Sequence, residues 1–178
     1  YMKLHGAAAL TGKVFGKVMD RKNRPVDYSK WIVKHLPDKA ELAEQRKTKF
    51  SWNPKISLVI PLYKTPEKYL QQLIDSIQAQ TYENWELCLS DGSGADSPLS
   101  EFLTTMEKSD ARIRVIRNAK ALQIAENTNA AIRAATGDFI AFADHDDELT
   151  PHALFECVKA LNKNRDVKVL YSDEDKMS

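Results

Sequence analysis

From residue 56 onward the chain alternates short apolar runs with amphipathic segments, and this alternation restricts the fold more than any other feature. "ISLVIPL" (56–62) is apolar and rich in β-branched residues, the pattern of a strand buried on both faces. "WELCLS" (85–90), "IRVI" (113–116), "FIAFA" (139–143) and "VKVLYS" (167–172) read as four further strands. Leu70, Leu73, Ile74 and Ile77 fall at i, i+3, i+4 and i+7, which predicts a helix with one buried face. Thr65 is its expected N-cap, with Pro66 at the first helical position and Glu67 in the first turn. Leu99, Phe102, Leu103 and Met106 form a second helical stripe. A third helix is expected over 124–135, carrying Ala131, Ile132 and Ala135, with Gly137 stopping it. Pro151 starts a fourth, through Leu154, Phe155, Val158 and Leu161. Strands separated by helical crossovers predict an α/β fold: a mainly parallel sheet flanked by helices. Sheets of this kind bind ligands at the carboxyl ends of their strands.

Residues 1–53 break this pattern and read as a helical extension and linker ahead of a domain over 54–178. Leu4, Ala7, Ala8, Val14, Phe15 and Val18 suggest one amphipathic helix, and Tyr28, Trp31, Ile32, His35 and Leu36 another. Residues 38–49 are charged almost all round, as in a solvated helix or linker. The stripes of residues 1–36 suit either a cover for the domain or self-association, and the sequence does not choose between them. Acidic and basic residues nearly balance, 25 against 26, so no charge footprint points to nucleic acid. No apolar run approaches the roughly 18 to 20 residues that span a bilayer, and the N-terminus lacks a signal-peptide pattern. Cys88 and Cys157 lack CxxC spacing and read as buried, reduced thiols. These features suit a cytoplasmic protein. The chain starts at Tyr1 rather than Met, as a piece of something longer does.

Three polar stations follow three different strands. Past the fourth strand stands "DHD" (144–146). In extended backbone, residues i and i+2 point the same way, so Asp144 and Asp146 would face one site. Converging carboxylates repel unless a cation lies between them, and a hard divalent ion such as Mg²⁺ or Mn²⁺ takes oxygen ligands. The alternative is a solvated acidic loop, with Asp147 or Glu148 capping the next helix. "SDGS" (90–93) closes the second strand. Asp91 there suits a base imide or a ribose hydroxyl, or an ordinary Asp-Gly turn. "PLY" (61–63) ends the first strand: Pro61 cannot donate to a central ladder, and Tyr63 is either a stacking surface for a planar base or a packed aromatic. No GxGxxG follows any strand, which argues against a dinucleotide site. "GAAALTGKV" (6–14) has one residue too many between its glycines for a P-loop, and Val14 replaces the magnesium-binding hydroxyl.

Taken together, "ISLVIPLYKTPEKYLQQLIDSIQAQTYENWELCLSDGSGADS" and "ENTNAAIRAATGDFIAFADHDDELTPHALFECVKAL" resemble family 2 glycosyltransferases of the GT-A (Rossmann-like) fold, bacterial surface-polysaccharide type. The family's P-x-Y-N strand end, "QTY", D-D-G-S-like turn and A-x-G-x-(apolar)-D-x-D-D signature appear in order over roughly residues 54–176. The resemblance implies an inverting enzyme that takes sugar from a nucleotide-diphosphate donor, UDP- or dTDP-linked, to a glycan acceptor. By match, Pro61 and Tyr63 border the base, Asp91 bonds the uracil or thymine, and Asp144 lies near the ribose and the metal. Asp146 ligates the Mn²⁺ or Mg²⁺ that bridges the diphosphate. Three departures stand out: Ser90 replaces the first Asp of D-D-G-S, Lys64 replaces the Asn after the tyrosine, and Gln123 stands where a glycine is common. Asn118 or Lys120, before the third helix, is then a candidate for reaching the nucleotide, or part of a solvated loop. The family's general base lies beyond the metal motif, past Ser178, so the chain is expected to be the N-terminal donor-binding portion, truncated at its C-terminus. Asp173, Glu174 and Asp175 read as a solvated acidic tail. The competing reading is a non-catalytic nucleotide- or metal-binding module. A phosphohydrolase on an α/β scaffold would leave the base-binding stations without a role.

Overall fold

The structure is a computed structural model that describes residues 27–172. The helix expected over 4–18, the P-loop-like stretch and the acidic tail at 173–175 lie outside the described residues. The described elements run α1 (Tyr28–His35), α2 (Lys39–Lys47), β1 (Ile56–Leu62), α3 (Glu67–Gln78), β2 (Trp85–Asp91), α4 (Ser100–Ser109), β3 (Ile113–Arg117), α5 (Ile124–Ala134), β4 (Phe139–Phe142) and α6 (Ala153–Lys163). The chain divides into two compact units between Pro37 and Asp38. In the first, α1 is capped by Asp27, whose carboxylate accepts from Lys30 N–H at 3.3 Å, and the His35 ring stacks on Trp31 at 4.1 Å.

The second unit is the expected α/β layer. Four strands pair in the order β3-β2-β1-β4, and every pairing is parallel. β1 and β2 occupy the centre, so both of their faces are covered, and six of β1's seven residues are buried. Leu58, Ile60, Leu87 and Leu89 join Leu70, Leu73, Ile74 and Ile77 of α3 and Leu154, Phe155 and Val158 of α6 in one core. Each such fully buried side chain contributes about 1.5–3 kcal/mol of transfer free energy. On the other face Val59 and Cys88 pack against Ala131 of α5. The charged stretch at 38–49 forms α2 with a capping box, Asp38 with Glu41, and buries no residue. It belongs to the α/β unit: Arg46 Nη2 donates to Ala79 O at 3.0 Å and Thr81 Oγ1 to Gln45 Oε1 at 2.8 Å.

Three local expectations are corrected. Residues 167–172 form no strand. β-branched composition favours a pleated, half-buried surface, but the segment finds no ladder partner, and Val169 and Tyr171 stand 80% and 95% exposed. α3 begins one residue later than its cap signal implies: Pro66 is the N-cap, and Thr65 is buried with its Oγ1 unpartnered among the described residues. Gly137 does not close α5 by a left-handed turn, since Ala135 caps that helix in extended backbone. Gly137 is required by proximity instead: a Cβ there would meet Lys55 O and Ser57 Oγ at 2.6 Å.

Candidate functional site

Parallel pairing brings Leu62 of β1 level with Asp91 of β2, and Asp91 level with Arg117 of β3. The first two stations therefore share one edge of the sheet. β4 reaches it from lower down, because Phe142 pairs with Val59, three residues short of Leu62. The acidic segment after Phe142 thus rises past the end of the ladder toward the same edge.

Main-chain and amide hydrogen bonds lace this edge together. Leu62 O accepts from Gly92 N–H at 2.9 Å and from Asn127 Nδ2 at 2.8 Å. Gly92 O accepts from Leu122 N–H at 3.0 Å. Lys64 N–H donates to Ser93 Oγ at 2.9 Å. Asn118 Nδ2 donates to Asp91 O at 2.8 Å and to Ser90 Oγ at 3.0 Å. The turns after β1 and β2 and the 118–122 connection are thereby held as one rim.

Asp91 is 3% exposed, yet only its Oδ1 has a hydrogen-bond donor among the described residues, Ser93 N–H at 2.9 Å. Tyr63 leaves 51% of its surface in solvent just past the end of β1, and Pro61, two residues earlier, is half-buried. Asn118 is committed to β2: its amide holds the last two residues of that strand. Ser90 is fully buried and its hydroxyl accepts from Asn118, so it faces the protein interior. Gln123 takes φ −71°, which any residue adopts, so the backbone there does not call for glycine.

Asp144, Asp146 and Asp147 are exposed, but the segment does not continue as a strand. The chain turns at His145 and Asp146, with Asp147 N–H donating to Asp144 O at 3.3 Å and Asp147 Oδ2 accepting from Asp144 N–H at 3.3 Å. The i, i+2 rule that would place Asp144 and Asp146 on one side therefore does not apply. Asp147 does not cap α6, whose N-cap is His152 without a side-chain hydrogen bond. Among the described residues no three His, Cys, Asp or Glu side chains converge as a metal cage. The donor chemistry still fits a hard cation, because exposed carboxylates offer oxygen ligands and an ion held by two of them keeps positions for phosphate oxygens and water.

Asn127 is the residue that sequence reasoning passed over. It is 2% exposed in the first turn of α5, and its Oδ1 has no described partner. The signal was legible: Asn127, Ala130, Ala131 and Ala134 share one face, so a polar residue interrupts a stripe of small ones. It explains Gly92 as well, because a Cβ at that position would lie 2.6 Å from Asn127 Nδ2.

The fold and this rim define a Rossmann-like α/β domain with its polar groups gathered at the carboxyl edge of a parallel sheet. The chain belongs to glycosyl transferase family 2, whose profile matches residues 57–173. It is 32% identical over 149 residues to the O-antigen biosynthesis protein RfbC of Myxococcus xanthus, covering 84% of this chain and 12% of RfbC. The fold is shared with residues 1–349 of S. aureus TarS, solved in complex with UDP-GlcNAc, at TM-score 0.56 and 21% identity over 62% of this chain and 32% of that one. It is shared too with the mannosyltransferase PcManGT of Pyrobaculum calidifontis, solved in complex with GDP-Man and Mn²⁺, at TM-score 0.55 and 19% identity over 67% of this chain and 37% of that one. No helix among the described residues is long and apolar enough to cross a membrane.

Proposed function

We propose that this chain binds a nucleotide-diphosphate sugar, UDP- or dTDP-linked, at the carboxyl edge of its sheet and forms the donor half of an inverting glycosyltransferase acting on a glycan acceptor in surface-polysaccharide synthesis. One observation carries the reading: a buried carboxylate, Asp91, keeps one oxygen without a described donor, on the rim where Tyr63 stands exposed. That oxygen is not among the buried atoms left without a partner, so it is open to solvent and free to accept a charge-assisted hydrogen bond from the imide N–H of uracil or thymine. Tyr63 then offers a face for stacking the base, Pro61 borders it, and Asn118 positions Asp91 by holding its carbonyl.

Asp144 and Asp146 are the residues that would hold Mn²⁺ or Mg²⁺, which supplies Lewis-acid stabilisation of the charge left on the departing diphosphate. The O-antigen name of RfbC and the nucleotide sugars bound to TarS and PcManGT support this assignment of substrate class. Self-association through residues 1–36 is part of the same proposal, and a monomer by light scattering at high concentration overturns that part.

The test is calorimetric titration of UDP and dTDP, each with and without Mn²⁺, on this chain and on Asp146→Ala. Binding of one nucleotide that needs the metal and is lost in the variant is the expected result. A folded sample that binds neither nucleotide overturns the donor reading and leaves a family member that does not bind donor. Metal-dependent binding that survives in Asp146→Ala moves the metal away from that carboxylate.

A further inference from the structure

Lys64 is, among the described residues, the one non-glycine residue with left-handed backbone, at φ 47°. In that conformation the Cβ crowds the following carbonyl, which asparagine tolerates by local hydrogen bonding and lysine does not. The surroundings hold it there: Lys64 N–H is bonded to Ser93 Oγ at 2.9 Å, between a strand end and the proline that opens α3. A strained residue kept in place by its neighbours points to a role for its side chain. The ammonium stands 5.5 Å from the centroid of the Tyr63 ring, and no described carboxylate pairs with it. The other described cation on a strand end of this rim, Arg117, is engaged by Glu107 at 3.0 Å.

Lys120 adds a second cation in the connection after β3, and the other charged groups near the strand ends are acidic. Asp91, Asp144, Asp146 and Asp147 all lie at strand ends or just beyond them, so an arriving diphosphate meets carboxylates. A fixed cation beside the aromatic station offsets that repulsion, and a phosphate oxygen would give the ammonium the charge-assisted partner it lacks. A nucleoside brings no such partner. We propose that Lys64 is a phosphate-binding residue of the nucleotide site, recognising the diphosphate rather than the base. The inference rests on the donor reading above and adds a residue to it.

The experiment compares the wild-type chain with Lys64→Asn and Lys64→Arg, in Mn²⁺, titrating UDP and dTDP by calorimetry and uridine and thymidine by NMR. Lys64→Asn suits the left-handed backbone and removes the charge. Its thermal midpoint is expected to stay or rise, its diphosphate affinity to fall about tenfold, and its nucleoside affinity to stay unchanged. Lys64→Arg is expected to retain diphosphate binding. Unchanged diphosphate affinity in Lys64→Asn overturns the proposal. So does an equal fall for nucleoside and diphosphate, which would mean that Lys64 acts only by setting the Tyr63 ring. A wild-type chain that binds no diphosphate overturns the donor reading itself, a result distinguishable from the other two.

Discussion

At Gly92 the requirement for glycine comes from a neighbour and not from the backbone angle. The would-be Cβ meets the Asn127 amide, and that amide holds Leu62 O beside the Gly92 N–H. Gly92→Ala is expected to displace Asn127 and destabilise the chain by about 1–3 kcal/mol, measured by urea unfolding. Adding Asn127→Ala removes the collision, so the double variant is expected to lose less than the sum of the two single changes. Additive losses would mean that the two residues do not meet in solution. Pro61, Tyr63 and Asp91 were legible as a rim because strand ends in a parallel sheet share an edge. Asn127 was not singled out, because a helix stripe is read for apolar residues and its one polar member drops out of the pattern. Lys64 was noted as a departure, but the roughly 1–2 kcal/mol cost of a left-handed side chain is invisible until the backbone is seen.

Among the elements, β2 carries the least expected residue. Glu86 points into the layer at 3% exposure, near the start of a strand read from sequence as apolar. It accepts from Lys55 Nζ and Ser57 Oγ, both at 2.6 Å, and from the backbone and hydroxyl of Thr136, while Ser57 Oγ accepts from Gly137 N–H. Burial pushes its carboxyl up, but the Lys55, Ser57 and Thr136 bonds outweigh that and hold it at about 2. Asp110 is also held at about 2, chiefly by the Arg112 side chain, against burial. An unfolded glutamate titrates near 4.3. A depressed folded value gives stability that is present above the unfolded pKa and lost as pH falls through the folded one. Stability is therefore expected to drop between about pH 4.5 and pH 2, read from urea midpoints. Glu86→Gln should lower stability at pH 7 by about 2 kcal/mol and flatten that slope, with Asp110 supplying what remains. A slope unchanged in Glu86→Gln would remove Glu86 from the account. Four strands and four helices of this layer were legible from periodicity; the apolar residues of most of them face a core, whereas β4 at the sheet edge leaves Ile140 and Phe142 41% and 67% exposed. The fifth run at 167–172 was misread because β-branched composition states a preference and pairing needs a partner.

For the molecule as a whole, the boundary between Pro37 and Asp38 leaves all four described strands and their core in the second unit. A chain of residues 38–178 is expected to unfold within about 2 °C of the full chain, no more than about 1 kcal/mol moves in a domain of this size. A larger fall would show that the first unit braces the second. The sequence placed the change of character at residue 53, because α2 is charged all round and looks like linker. Only its contacts to Ala79 and Thr81 reveal that it travels with the sheet. The Lys55–Ser57–Glu86–Thr136 cluster has a consequence on another timescale. It fastens the strand starts, while Tyr63, Lys64, Asp91 and Asp144 all stand at or past the strand ends, so the residues proposed to meet a ligand are separate from the parts that close the layer. A lineage built this way is free to try new ligands by editing a few turn residues, and its descendants inherit a chain that still folds.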